Sequence, residues 1–178
     1  MDPDEIQLRT ERLALRAPNV HDVDALQAIV SDPRVALTTA SIPHPYPDNG
    51  VLEFIERVRR LASRDRRNFA ITLLSNSSLI GMVGFVGLGQ TAELAYMLSP
   101  EHWRRGYATE AAREVVRFVF ESTSFSAVAA RAMTANPASE NVLRSVGFTW
   151  EHEDDVELPM RGGVFRTSFW RVKRPAAT

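Results

Sequence analysis

The period of the hydrophobic positions changes several times along the chain. Arg12-Leu13-Ala14-Leu15-Arg16 alternates polar and apolar residues, as a half-buried strand does. A helical period follows, with Val23, Leu26, Ile29 and Val30 on one face, and Pro33 should end that helix because it has no amide hydrogen to donate. The stretch from Ile42 to Pro47 carries three prolines and reads as an extended loop, with Asp48 placed to cap a second helix through Val51, Ile55, Val58 and Leu61. From Phe69 the period becomes extended. Phe69 to Leu74, Leu79 to Leu88 and Ala92 to Leu98 read as an antiparallel meander, broken at Ser75-Asn76-Ser77-Ser78 and Gly89-Gln90-Thr91. A long helix is expected from about Arg104 to Glu121, burying Ala108, Ala111, Ala112, Val115, Val116 and Val119. After a strand from Ser126 to Met133, Asn136-Pro137 opens a short helix that Gly147 closes. Two last strands, near Phe148 to Glu157 and Val164 to Val172, flank a turn at Arg161-Gly162-Gly163. This order predicts a mixed α/β sheet with helices packed on it, in a single domain over residues 1–178.

Composition narrows the function more by exclusion than by indication. A formal charge of −1 gives no overall bias toward nucleic acid or anionic membrane, and no apolar run approaches the roughly 20 residues of a membrane span. The arginines Arg57, Arg60 and Arg64, with Arg59, Arg66 and Arg67 nearby, are read as a solvated helix face rather than a nucleic-acid contact. Without cysteine there is no disulfide and no thiolate nucleophile, so a covalent acyl-thioester on the enzyme is ruled out. His21, His44, His102 and His152 show no metal-ligand spacing. The acidic start Met1-Asp2-Pro3-Asp4-Glu5 lacks the features of a secretory signal, which makes cytoplasmic residence the expectation.

The most informative segment is Tyr96-Met97-Leu98-Ser99-Pro100-Glu101-His102-Trp103-Arg104-Arg105-Gly106-Tyr107-Ala108-Thr109-Glu110-Ala111, which runs from a strand through a basic turn into a helix. The first amides of a helix lack internal partners and sit at its positive end, where they can hold a phosphate. The small side chains of Gly106 and Ala108 would let a diphosphate approach the backbone, and Arg104 and Arg105 would add positive charge. Neither Gly-x-x-x-x-Gly-Lys-Ser/Thr nor Gly-x-Gly-x-x-Gly is present, which argues against an ATPase or a dehydrogenase.

Trp103-Arg104-Arg105-Gly106-Tyr107-Ala108 resembles motif A of the GNAT acetyltransferases, and the aromatic at its first position resembles the RimJ/RimL branch, which acetylates protein N-termini. Asn136-Pro137-Ala138-Ser139-Glu140-Asn141, continuing to Gly147-Phe148, is similar to motif B of that branch, and Leu8-Arg9-Thr10-Glu11-Arg12-Leu13-Ala14-Leu15-Arg16 resembles its first strand. The resemblance implies a mostly antiparallel sheet flanked by helices and acetyl-CoA as co-substrate. It also implies that Met97 and Leu98 offer backbone groups to the pantetheine arm. Arg104, Arg105, Gly106, Tyr107, Ala108 and Thr109 would bind the diphosphate, and Asn136 and Asn141 would hold the cofactor near its thioester.

Acetyl transfer to an amine needs a neutral nitrogen and a proton for the departing sulfur. Glu93 is the leading general-base candidate, on the strand before the loop, with Glu157 as the alternative inside the acidic stretch Glu151 to Glu157, which reads as a solvated loop or a substrate-attracting surface. Many GNAT enzymes carry a tyrosine seven residues after the motif-B asparagine; this chain has Leu143 there, leaving the Ser139 hydroxyl as the available donor. The expected acceptor is a protein or peptide N-terminal amine. The alternatives are a small amine such as an amino acid, polyamine or antibiotic, or a non-catalytic acyl-CoA-binding module. Homodimerisation is left open.

Overall fold

A computed structural model describes residues 6–176, so the acidic stretch at residues 1–5 lies outside the described residues. The elements in chain order are β1 (Leu8–Arg9), β2 (Leu13–Arg16), α1 (Val23–Ser31), α2 (Pro33–Ala36), α3 (Gly50–Arg60), β3 (Arg66–Leu73), β4 (Leu79–Leu88), β5 (Thr91–Leu98), α4 (Tyr107–Ser122), β6 (Ala127–Met133), α5 (Pro137–Val146), β7 (Thr149–Leu158) and β8 (Gly163–Lys173). The strands form one sheet in the order β1-β2-β3-β4-β5-β6-β8-β7, antiparallel throughout except where β5 meets β6.

Strand alternation sorts side chains to the two faces. Phe69, Ile71, Val83, Phe85, Leu94 and Leu98 join Ala111, Ala112, Val115 and Val119 of α4 and Leu143 of α5 in the larger core. Ala70 and Met82 turn the other way, onto Leu26 and Val30 of α1 and Val51 and Ile55 of α3. Val115 and Val119 are fully buried, and each such side chain contributes about 1.5–3 kcal/mol relative to exposure.

Several expected elements take a different form. The first strand is folded into a hairpin, with Leu8 opposite Leu15 and the turn at residues 10–12. Leu13, Ala14 and Leu15 are all buried, because both faces of β2 are covered. Pro33 does end α1, yet it also starts α2: Asp32 is extended, its side chain accepts from the Arg34 amide at 2.8 Å, and proline occupies the first turn. The residue before α3 is Asn49 rather than Asp48, and it makes no side-chain capping bond. The long helix begins at Tyr107, not Arg104, because Arg104 (φ 60°) and Gly106 (φ 80°) are left-handed and cannot continue an α-helix. The acidic stretch is not a loop: Glu151 to Glu157 lie within β7, an exposed edge strand. Arg66 and Arg67 belong to β3, and Arg67 is buried.

Candidate active site

β5 and β6 are paired only where Thr91, Ala92 and Glu93 meet Ala127, Val128 and Ala129. Beyond that point β5 stays with β4 as far as Leu98, and β6 stays with β8 as far as Met133. The two strands therefore part into a wedge open toward their C-terminal ends. Ser99 N–H donates to Ile80 C=O at 2.8 Å, in register with the β4–β5 ladder. Antiparallel alternation then directs the backbone groups of Met97 to β4 and those of Tyr96 and Leu98 to the open edge. Of the two residues expected to meet a pantetheine arm, Leu98 presents its backbone to the wedge, and Met97 contributes its side chain to the packing against α1 and α3.

The turn after β5 is held by its own side chains. Trp103 Nε1 donates to Leu98 C=O at 2.9 Å, which fastens the turn to the strand it leaves. Among the described residues, the amides of Arg104, Arg105 and Gly106 have no backbone acceptor. Left-handed conformations at Arg104 and Gly106 flank Arg105, the kind of arrangement in which consecutive amides converge on an anion. The non-glycine left-handed residue costs roughly 1–2 kcal/mol. Arg104 and Arg105 are exposed and form no ion pair among the described residues, so their charge is available at the N-terminus of the 16-residue helix α4. Tyr107, Ala108 and Thr109 supply its first turn, whose amides have no intrahelical partner. These residues fit a diphosphate: free donors, two arginines, and a glycine where the backbone must be approached.

The second helix terminus beside the wedge is that of α5. Asn136 caps it, Oδ1 accepting from Ser139 N–H at 3.2 Å, while Nδ2 donates to Thr38 C=O at 3.4 Å. Asn136 thus ties motif B to the loop after α2. Asn141 is exposed on the same helix, and its Oδ1 accepts from Arg144 at 2.8 Å. Ser139 lies in the first turn, where its Oγ is 2.8 Å from the Tyr96 hydroxyl. Burial pushes the Tyr96 phenol up to about 12, although the Ser139 bond lowers it in part. It is therefore protonated at neutral pH, and either hydroxyl can be the donor in its contact with Ser139 Oγ. Leu143 is fully buried in the core.

The acid candidates are not brought together. Glu93 sits at the vertex of the wedge on the α1–α3 face and accepts from Arg131 Nε at 2.9 Å. Glu157 lies opposite Val164, on the part of the β7–β8 hairpin that projects past the end of β6. Among the described residues the Glu157 side chain has no hydrogen bond or ion pair, unlike Glu151 and Glu153, which pair with Arg171 and Arg166. The hairpin tip reaches across to the loop after α2, where Arg161 donates to the Ile42 carbonyl. Thr38, Ile42, Arg161 and Tyr96 are not among the site residues read from the sequence. Tyr96 had one available signal: it falls in the core-facing register with Leu94 and Leu98, where a buried phenol needs a partner.

Residues 12–149 match the model of the acetyltransferase (GNAT) domain. The chain is 28% identical over 172 residues to the N-acetyltransferase YoaA of Bacillus subtilis (strain 168), covering 94% of this chain and 97% of that protein. It is 31% identical over 149 residues to the N-acetyltransferase p20 of Bacillus licheniformis, covering 81% and 83%. The fold is shared with the microcin C7 self-immunity acetyltransferase MccE in complex with acetyl-CoA and AMP (TM-score 0.80, 16% identity, 92% and 93% covered). It is also shared with the ribosomal-protein-S5-alanine acetyltransferase of Vibrio fischeri (TM-score 0.80, 16% identity, 97% and 99% covered). A third neighbour is the spermidine N-acetyltransferase of Vibrio cholerae in complex with CoA and spermine (TM-score 0.78, 18% identity, 93% and 97% covered).

Proposed function

Because the chain belongs to the GNAT acetyltransferase family, and so is an acetyltransferase that uses acetyl-CoA, we propose that its acceptor is the α-amine of a protein or peptide N-terminus, as in the RimJ/RimL branch. The observation that carries this reading is that the leading base candidate, Glu93, is already engaged by Arg131 Nε at 2.9 Å, which suits an acceptor that needs little help to lose its proton. An α-amine with pKa near 7.8 is roughly 10% neutral at pH 7, whereas a lysine near 10.4 is below about 0.1% neutral. The difference is about 3.5 kcal/mol of deprotonation work, which a modest base leaves visible.

The arrangement suits direct transfer. The diphosphate rests on the turn from Arg104 to Thr109, and the pantetheine arm runs along the open edge of β5 at Leu98, with Asn141 at its far side. The neutral amine attacks the thioester carbonyl from the α1–α3 face, a new C–N bond forms, and the C–S bond breaks. Glu93 or Glu157 takes the amine proton through water, and the Ser139 hydroxyl donates to the departing sulfur. A small polyamine is the second reading, favoured by the acids that β7 exposes at the sheet edge and by the shared fold of the spermidine acetyltransferase.

The test is competition at equal concentration between a short peptide with a free α-amine and an N-terminally blocked counterpart carrying lysine, with fragmentation to locate the acetyl group. Preferential α-amine labelling is expected. Preferential lysine labelling, or labelling of spermidine with neither peptide modified, overturns the N-terminal assignment.

A further inference from the structure

Arg12 is 93 residues away in sequence from the carbonyl it holds. Its Nη1 donates to Arg105 C=O at 2.9 Å, and its Nε donates to Glu110 Oε2 at 2.7 Å. Its guanidinium also lies 4.5 Å over the Tyr107 ring. Glu110 is fixed in turn by Thr10 Oγ1 at 2.6 Å and by the Arg12 amide at 2.9 Å. A Cβ on Gly106 would come within 3.3 Å of Arg12 Nη2, so the guanidinium lies directly behind the glycine. With these bonds made, Arg12 is anchored on the outside of the turn and is not free to reach a ligand itself.

The consequence follows from peptide geometry. In a planar trans peptide the C=O and N–H point to opposite sides. Once Arg12 draws the Arg105 carbonyl toward the β1–β2 hairpin, the Gly106 N–H must point away from the hairpin. We propose that Arg12 is a positioning residue for the diphosphate of acetyl-CoA, acting through the Arg105–Gly106 peptide and locked in place by Glu110. The inference rests on the placement of the diphosphate at residues 104–109. It gives the β1–β2 hairpin a role in cofactor recognition, and it assigns Glu110 to the hairpin and not to the reacting groups.

The test compares acetyl-CoA with S-acetyl-pantetheine, which lacks the diphosphate. Arg12→Ala should raise the calorimetric Kd for acetyl-CoA about ten- to a hundredfold, the effect of misdirecting hydrogen bonds to a charged group. Its KM for S-acetyl-pantetheine and its kcat at saturating acetyl-CoA should stay within about twofold of the parent. Arg12→Lys, which can reach one of the two acceptors but not both in the same fork, should fall between. If Arg12→Ala does not fold, Arg12→Lys is measured against both thioesters in its place. Gly106→Glu serves as the control for the placement itself. Loss with Gly106→Glu but unchanged affinity in folded Arg12 variants overturns the role of Arg12 alone. Equal losses for both thioesters also overturn it, since a structural defect would not distinguish them. No effect of either substitution removes the diphosphate from this turn altogether.

Discussion

The phenolic oxygen of Tyr96 lies 2.8 Å from Ser139 Oγ and 3.2 Å from the Ser139 carbonyl oxygen, joining the open strand of the wedge to the first turn of α5. Burial holds the phenol protonated, pushed up to about 12, so Tyr96 can donate to the Ser139 carbonyl while its oxygen and Ser139 Oγ share a hydrogen bond in which either hydroxyl can be the donor. Tyr96→Phe should therefore lower turnover roughly three- to tenfold, the range expected for one neutral hydrogen bond. Ser139→Ala should cost more, toward about 10²-fold. The double variant should resemble Ser139→Ala alone, because the two groups act through one contact. Release of free CoA at saturating substrates measures all three, and fully additive losses would separate Tyr96 from Ser139.

The two acid candidates differ in what each must give up to accept a proton. Protonating Glu93 discards its 2.9 Å contact with Arg131, whereas Glu157 has no such partner among the described residues. Glu93 is expected to be the base despite that cost, because it stands where β5 and β6 part, whereas Glu157 lies on the projecting part of the β7–β8 hairpin. Glu93→Gln should lose most activity at low pH and recover as the amine deprotonates unaided, while Glu157→Gln should change chiefly the acceptor KM. A pH–rate profile of each variant is the check. Equal loss of Glu93→Gln at every pH argues against a base role, and a low-pH deficit confined to Glu157→Gln moves the base to β7.

Local features of this fold were legible because they depend on residues close in sequence. The α4 stripe, the Asn136 cap with Pro137, and the left-handed Gly147 that ends α5 each follow from a short window. The boundary errors also have local causes. Asp32-Pro33 both stops one helix and starts another, and the Arg104 to Gly106 backbone leaves the helical region despite good helix formers around it. Contacts between distant segments are not written in any short window. Thr10 and Arg12 meet Glu110, Tyr96 meets Ser139, and Arg161 meets Ile42. The first-strand segment and motif A stand as separate matches in the sequence, and nothing in either spells out that Glu110 belongs to the hairpin.

Glu110 links that hairpin to the pH dependence of stability. Burial alone would raise its carboxyl, but hydrogen bonds from Thr10 and from the Arg12 amide and guanidinium outweigh this and hold it below the ordinary carboxylate range. A depressed folded-state value means that the unfolded chain binds the proton first as pH falls. The stabilisation is complete above the ordinary value of about 4.3 and is lost as pH drops through the lower folded value. Glu110→Gln should lower the melting temperature at pH 7 and narrow its gap to the parent as pH falls below about 4. Thermal melts across that range check it. A constant gap would show that Glu110 contributes through shape rather than charge.

Gly81 and Gly84 lie in extended backbone on β4, and what they supply is space. A Cβ at Gly81 would come within 2.2 Å of Met97 O and 2.6 Å of Leu98 Cδ2, on the strand that carries the open edge. At Gly84 it would meet Arg67 O at 2.5 Å and Asn68 Oδ1 at 2.7 Å, on β3 instead. Alanine at either site should destabilise by roughly 1–3 kcal/mol, since the obstructing atoms are largely backbone and cannot swing aside. For a domain of this size that corresponds to a melting temperature lower by about 2–12 °C. The two variants should part company in binding. Gly81→Ala pushes on Met97 and Leu98, so acetyl-CoA affinity should fall along with stability, while Gly84→Ala should lose stability and keep its affinity below the melting transition. Calorimetric titration of both folded variants with acetyl-CoA distinguishes them. Equal affinities would mean that the C-terminal end of β5 can shift without disturbing the pantetheine path, and would place that arm elsewhere along the wedge.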